Sequence, residues 1–387
     1  MIMTKALCII GANDFQDQLI RKAHALGYET HVFAWEQGAV GKKSADKFYP
    51  ISIVEKEKIL DICRQIHPVG VVSIASDLAV VTVNYIAAAL GLPGNSMEST
   101  EVSTNKYKMR QRFRECAVRV PGFTSVSSPD DCEKVNLKYP LFVKPTDRSG
   151  SRGVTKVNNI EEMRTAVAAC ISESFEKKAI VEEAIYGEEF STEFINYHGR
   201  HKLLAVTKKF TTGDPHYIET GHMEPADISD AMKDKIEKEV GKALDALKIN
   251  NSAAHPEIRI SDDGEINIIE IGGRMGGDCI GSDLVKISTG YDFLKMTIDV
   301  ACGKAPDMTL RNPPRAAFIR FIFGQDDIDL LNKVRSASPE TIYRVSDIER
   351  PGTHPVVDSS TRYGYFILSC DSAEQGYKLL NIDRHKR

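Results

Sequence analysis

The sequence predicts an α/β protein: a parallel, doubly wound sheet at the N-terminus, followed by α+β lobes in which hairpins mix with helices. Two observations carry this. Strand-type apolar runs alternate with helical stretches over roughly the first hundred residues, the pattern of a parallel sheet with crossover helices. Farther along, paired runs of alternating apolar and polar residues are separated by polar turns, the pattern of hairpins. At 387 residues the chain exceeds a single core, so more than one domain is expected.

The elements follow in order. "KALCIIG" is a buried strand, "DQLIRKAHALG" a helix and "YETHVFA" a second strand, with the βα turn at "GANDFQD". That turn is not GxGxxG, so a dinucleotide site is not indicated. A helix over "EKEKILDICRQIH" leads into the strand "PVGVVSIAS", and the helix "LAVVTVNYIAAALG" closes at Gly91 and Pro93. Ser76 and Asp77 end a strand, where such sheets place ligands; Asp77 reads equally as a helix cap or a substrate contact. "STNKYKMRQRFRECAVRVPGF" predicts one helix started by Ser103 or Thr104, ending before Pro121. A hairpin and the helix "IEEMRTAVAACIS" come next, then a strand, a polar crossing and a strand through "KKAIVEEAIYGEEFSTEFINYHG". From Asp230 a helix places Met232, Ile236, Val240, Leu244 and Leu247 on one core-facing stripe. "AAHPEIRIS", "DDG" and "EINIIEIGGR" form another hairpin, and "RAAFIRFIFG" and "GYFILSC" are strand-like runs of the last part.

Composition narrows the function classes. Hydrophobic residues at 42% and charged residues at 27% are ordinary for a soluble globular protein. A net charge of −4 without a long basic run argues against a nucleic-acid partner. No apolar stretch approaches membrane-spanning length, and the start "MIMTKALCIIGAN" lacks a signal-peptide layout. The cysteines, Cys8, Cys63, Cys116, Cys132, Cys170, Cys279, Cys302 and Cys370, form no CxxC or Cys/His cluster. Scattered reduced thiols suggest a cytoplasmic protein.

Two stretches carry chemistry. "VKPTDRSGSRGVTKV", residues 143–157, is a hairpin with a polar, basic, amide-rich loop. Gly150 and Gly153 can take positive φ and let successive N–H groups converge on an anion, and Lys144 adds a mobile charge suited to phosphate. Glu257 and Glu270 lie on the two strands of the "PEIRI" and "INIIEIGG" hairpin, where antiparallel pairing sets them side by side. Two such carboxylates repel unless a cation joins them, and their oxygens suit magnesium. Solvent-facing strand acids are the plainer reading. Against it, Glu270 is followed by Gly272, Gly273, Gly276, Gly277 and Gly281, which let a ligand approach the backbone, with Arg274 as a fork for carboxylate or phosphate.

The order "NKYKMR", "FVKPTDRSGSRGV", "IVEEAIYGEEFS" and "HPEIRI…GEINIIEIGGR" resembles the ATP-grasp superfamily of carboxylate–amine ligases, and within it the L-amino-acid ligases. The resemblance implies an ATP-grasp fold with an N-terminal, parallel-sheet, nucleotide-binding-like domain over 1–100. A small lid lobe over 101–185, a large catalytic lobe over 186–310 and a C-terminal subdomain over 311–387 complete it. It implies that Lys106 and Lys144 reach ATP phosphates and that Ser149, Gly150, Ser151, Gly153 and Val154 form a flexible lid over them. Glu182 and the backbone of Glu183 and Ile185 would meet adenine, and Glu189 the ribose. Glu257 and Glu270 match the Mg2+ carboxylates, with Mn2+ as an alternative. Gly272 departs from the family, which commonly places there an asparagine that also binds metal. Water is expected to fill that position.

The chemistry so implied is phosphoryl transfer to a carboxylate, then attack by an amine, releasing ADP and phosphate. Lys144 offsets charge on ATP, and Arg274 is expected to hold the substrate carboxylate. His255 either points into the same cavity or packs in its strand. "IETGHMEPA" reads as a loop whose Glu219, His222 and Glu224 resemble a substrate-facing segment, with a plain capped loop as the other reading. The expected partners are small-molecule carboxylate and amine substrates; oligomeric state stays open, a homodimer included. A purine-pathway-like enzyme acting on a phosphorylated amine and a non-catalytic ATP-sensing module are the alternatives.

Overall fold

The computed structural model describes residues 5–150, 152–214 and 217–383. Its first sheet comprises β1 (Ala6–Ile10), β2 (Glu29–Phe33), β3 (Lys47–Tyr49) and β4 (Gly70–Val72), all parallel in the order β3-β2-β1-β4. The turn after β1 is built by Asn13 and Gln16, which form a capping box starting the helix Asp14–Ala25. At the end of β4, Ser76 rather than Asp77 caps the helix Asp77–Leu90, accepting the Ala79 N–H at 3.2 Å. Asp77 is thereby released for another partner.

The single helix expected from Ser103 or Thr104 is two helices, Met97–Thr104 and Lys106–Glu115. Asn105 stands between them in extended backbone and caps the second, accepting the Lys108 N–H at 3.1 Å. Its side chain offers the backbone an alternative to continuing the helix. Lys106 becomes the first helical residue, and its N–H donates to the Thr146 carbonyl at 2.8 Å.

The second sheet is antiparallel, in the order β5-β8-β6-β7, from β5 (Phe123–Val126), β6 (Leu141–Pro145), β7 (Thr155–Val157) and β8 (Ala179–Glu183). Leu141, Val143, Val157 and Val181 pack with Met163 and Val167 of the helix Ile160–Glu173.

The third sheet has eight strands: β9 (Glu188–Tyr197), β10 (Arg200–Thr211), β11 (Glu219–Glu224), β12 (Ser252–Ile260), β13 (Ile266–Gly272), β14 (Ala316–Phe321), β15 (Ile342–Val345) and β16 (Tyr365–Cys370). The order is β13-β12-β9-β10-β11-β14-β16-β15. "IETGHMEPA", expected as a loop, therefore contains a central strand, β11, between β10 and β14. Its polar residues hid it: His222 and Glu224 are buried, each supplied with partners by neighbouring elements. Because β14 pairs with β11, the last part of the chain extends this same sheet. The stripe on the helix Asp230–Ala246 packs on it through Ile236, Val240 and Leu244. Among the described residues no helix is long and apolar enough to cross a membrane.

Candidate active site

Between the second and third sheets lies an open cleft of about 920 Å³, counting the solvent space at its mouth. The β6–β7 hairpin supplies one wall, with Gly150 at φ 70° and Gly153 at φ 68° turning its loop. Ser149, Gly150 and Val154 line the cleft. A side chain at Gly153 would press on the Pro145 ring, at 3.0 Å. Ser151 lies outside the described residues. Lys106 joins this loop to the opposite wall: its Nζ donates to the Arg148 carbonyl and pairs with Glu270, both at 2.7 Å.

Glu182 and Glu183, which end β8, and Ile185 just after it line the cleft with Phe142 and Tyr217. Glu182 is buried between two cations, Lys144 at 2.8 Å and Arg110 at 2.5 Å. Burial pushes its carboxyl up, but the two charges outweigh it and bring it down to about 2.

Across the cleft, Glu257 stands directly opposite Glu270 in the β12–β13 register. Lys209, on β10, reaches Glu189 at 2.9 Å, Glu257 at 3.1 Å and Glu219 at 3.5 Å. Burial alone would lower this lysine; the Glu257, Glu189 and Glu219 charges hold it well above its ordinary range. Glu257 is likewise disfavoured by burial, yet Lys209 and His255 hold its carboxyl well below the usual range. Arg259 forks onto Glu189 at 2.8 and 3.2 Å and donates to the Ile185 carbonyl at 2.7 Å, tying the strand to the adenine-facing backbone segment expected from the sequence. Neither Lys209 nor Arg259 was singled out in the sequence. Arg259 was legible there, since two residues along a strand from Glu257 is the same face.

His255 is buried; its Nδ1 lies 2.5 Å from Glu193 and its Nε2 3.5 Å from Glu257. Burial opposes its protonation, and Glu193 overcomes this, raising it to about 9. Glu219 lines the cleft, whereas His222 does not and is buried 3.2 Å from Asp278. Glu224 is buried away from the cleft against the Thr207 and Ser288 hydroxyls. Arg274 does not line the cleft. Its Nε and Nη2 fork onto Asp77 at 2.9 and 2.8 Å, the partner that the Ser76 cap released. A Cβ on Gly272 would stand 2.9 Å from the Asp77 carboxylate and 3.1 Å from the Arg274 guanidinium. That glycine makes room for the pair.

Two side-by-side carboxylates in a cleft are what magnesium takes when phosphates and water complete its octahedron, so the Glu257 and Glu270 oxygens fit it. Among the described residues no group of three or more His, Cys, Asp and Glu forms a separate metal cage.

Residues 137–283 match the ATP-grasp domain family. That match covers 147 of the 387 residues. The L-amino acid ligase of Bacillus licheniformis superposes on this chain with a TM-score of 0.84 and 25% identity, over 98% of this chain and 97% of that one. Phosphoribosylglycinamide synthetase from Anaerococcus prevotii shares the fold, at TM-score 0.77 and 22% identity, over 98% and 97% of the two chains. In sequence, the alanine–anticapsin ligase of Bacillus amyloliquefaciens is 26% identical over 281 residues, 66% of this chain and 59% of that protein. The chain thus spans under two thirds of the length of the curated relatives it first matches, 51% in the Bacillus subtilis counterpart.

Proposed function

We propose that this chain is an ATP-dependent ligase that activates the carboxylate of an amino acid as an acyl phosphate and joins it to an amine. One observation carries the reading: the facing carboxylates Glu257 and Glu270 share a cleft with Lys106, Lys144 and the basic hairpin loop. The relatives named as amino acid ligases support the substrate class.

The residues divide the work. Lys144 and Lys106 are positioned to exchange Glu182 and Glu270 for ATP phosphates, both lysines being already desolvated. Magnesium, when bound at Glu257 and Glu270, supplies charge neutralisation between phosphates. Arg274 stands outside the cleft lining, forked onto Asp77 and donating from Nη1 to the Met275 carbonyl at 3.4 Å; its other N–H groups are left for the substrate carboxylate. A carboxylate oxygen attacks the γ-phosphorus as ADP leaves; the amine nitrogen then attacks the acyl carbon, phosphate departs and the amine loses a proton. Positioning and electrostatics supply most of the acceleration in such transfers.

A phosphorylated amine would need an anion site at the β1 turn. The helix that starts there carries Asp14 and Asp17 in its first turn, which disfavours a phosphate. The test is an ADP-release screen of amino acids, singly and in pairs. Release that requires a carboxylate together with an amine is the expected result; release with neither, or binding of ATP without turnover, refutes it.

A further inference from the structure

The segment after Glu270 is held from several sides. Asp77 grips Arg274, the Ala75 N–H donates to the Met275 carbonyl at 3.2 Å, and the Gly276 N–H donates to Glu193 at 3.1 Å. Its far end has an uncommon backbone. Asp278 and Cys279, neither a glycine, stand in succession at φ 52° and 60°. Side chains disfavour this left-handed region, and such residues persist where the surroundings fix them. A π-helical turn, Ile280–Leu284, follows at once, itself a rare geometry found often at functional sites.

Both residues are gripped by arginines from the last part of the chain. Arg362 forks onto the Asp278 carboxylate at 2.6 and 3.0 Å, and its guanidinium carbon lies 3.5 Å from the Phe321 ring centroid. Arg344 donates to the Cys279 sulfur at 2.9 Å and pairs with Asp283 at 3.4 Å. The same C-terminal turn reaches the ATP cleft, for the Ser359 hydroxyl donates to Glu219 at 2.5 Å. Neither arginine lines the cleft.

We propose that the C-terminal segment is a positioning element of the substrate site: Arg362 and Arg344 hold the Asp278–Cys279 turn, and the turn holds Arg274 toward the substrate carboxylate. The role of Arg274 in this rests on the ligase reading. A fork is required because a planar guanidinium fixes both carboxylate oxygens, whereas an ammonium is a single point charge.

Arg362→Ala, Arg362→Lys and the double variant Arg362→Ala with Asp278→Gly test it through two readouts. The first is maleimide labelling of Cys279, buried here, located by peptide mass mapping. Arg362→Ala is expected to label about tenfold faster than wild type as the turn opens locally. The second is ADP release at varied carboxylate and ATP. Misplacing Arg274 should raise the carboxylate KM between about tenfold and a hundredfold, with the ATP KM within about twofold. Arg362→Lys should fall between. Glycine adopts positive φ without a clamp, so the double variant should recover most of the carboxylate KM. Unchanged labelling, equal losses in both KM values, or no recovery with glycine overturns the proposal. Should wild type release no ADP with any carboxylate, the ligase reading fails, and the labelling alone then upholds or overturns the clamp.

Discussion

Two buried glutamates in different sheets are pushed in opposite directions. Glu182, on β8, lies between Arg110 and Lys144 and is brought down to about 2. Glu224, on β11, meets only the Thr207 and Ser288 hydroxyls, and burial pushes it up to about 8. Burial penalises the ionised form in both places; placed cations decide whether the charge survives. Of the carboxylates lining the cleft, Glu270 has such a cation in Lys106, and Glu257, Glu189 and Glu219 have one in Lys209. Cations stand beside the carboxylates where ATP and a metal would meet them, and only hydroxyls stand beside Glu224 where the sheet is packed.

The largest expected effect comes from removing one of the retained charges. Glu270→Gln keeps the shape of the side chain and removes its charge, so turnover should fall about 10³-fold with the melting temperature little changed. ADP release near the wild-type rate would remove Glu270 from the metal site.

Removing a cation from the buried end tests the other half of the contrast. Arg110→Met leaves Glu182 with Lys144 alone and should destabilise the fold by about 3 kcal/mol in urea titrations at neutral pH. Glu182 is lowered in the folded state, so its contribution is full above its ordinary 4.5 and is lost as pH falls through about 2. The gap between wild type and variant should therefore narrow toward acid pH. A pH-independent gap would assign the loss to packing instead.

The basic loop gives a smaller, local effect. Lys144→Ala should raise the ATP KM about tenfold and leave the amine KM in place. Limited proteolysis should cut the free protein within residues 146–153, and ATP with magnesium should suppress that cut. Cleavage indifferent to nucleotide would rule out a phosphate lid.

The smallest effect concerns Glu224. Its folded value lies above its ordinary 4.5, so the folded state holds a proton that the unfolded chain has lost. Wild-type stability should decline as pH rises from about 4.5 to about 8, and Glu224→Gln should flatten that decline, gaining more than about 1 kcal/mol at pH 8 relative to pH 5. Parallel wild-type and variant profiles would mean that Glu224 is ionised in the fold.

Sequence by itself carried the elements with a clear period and the chemistry that sits on them. The alternating strands and helices of the first sheet, the stripe Ile236, Val240 and Leu244, and the hairpin bearing Glu257 and Glu270 are all local patterns, because a side chain's face follows from spacing along one element. What spacing cannot carry is which distant groups meet. β11 was masked because His222 and Glu224 look solvent-seeking until Asp278, Thr207 and Ser288 arrive from elsewhere to satisfy them. Lys209 carries no signal in the sequence, because its role comes only from three carboxylates of β9, β11 and β12 that close around it. Asp77 had two readings until Ser76 took the cap and Arg274 reached it from the segment after β13. Coulomb energy and desolvation depend on separation in space, so the charge of a buried group is fixed only when the chain has folded around it.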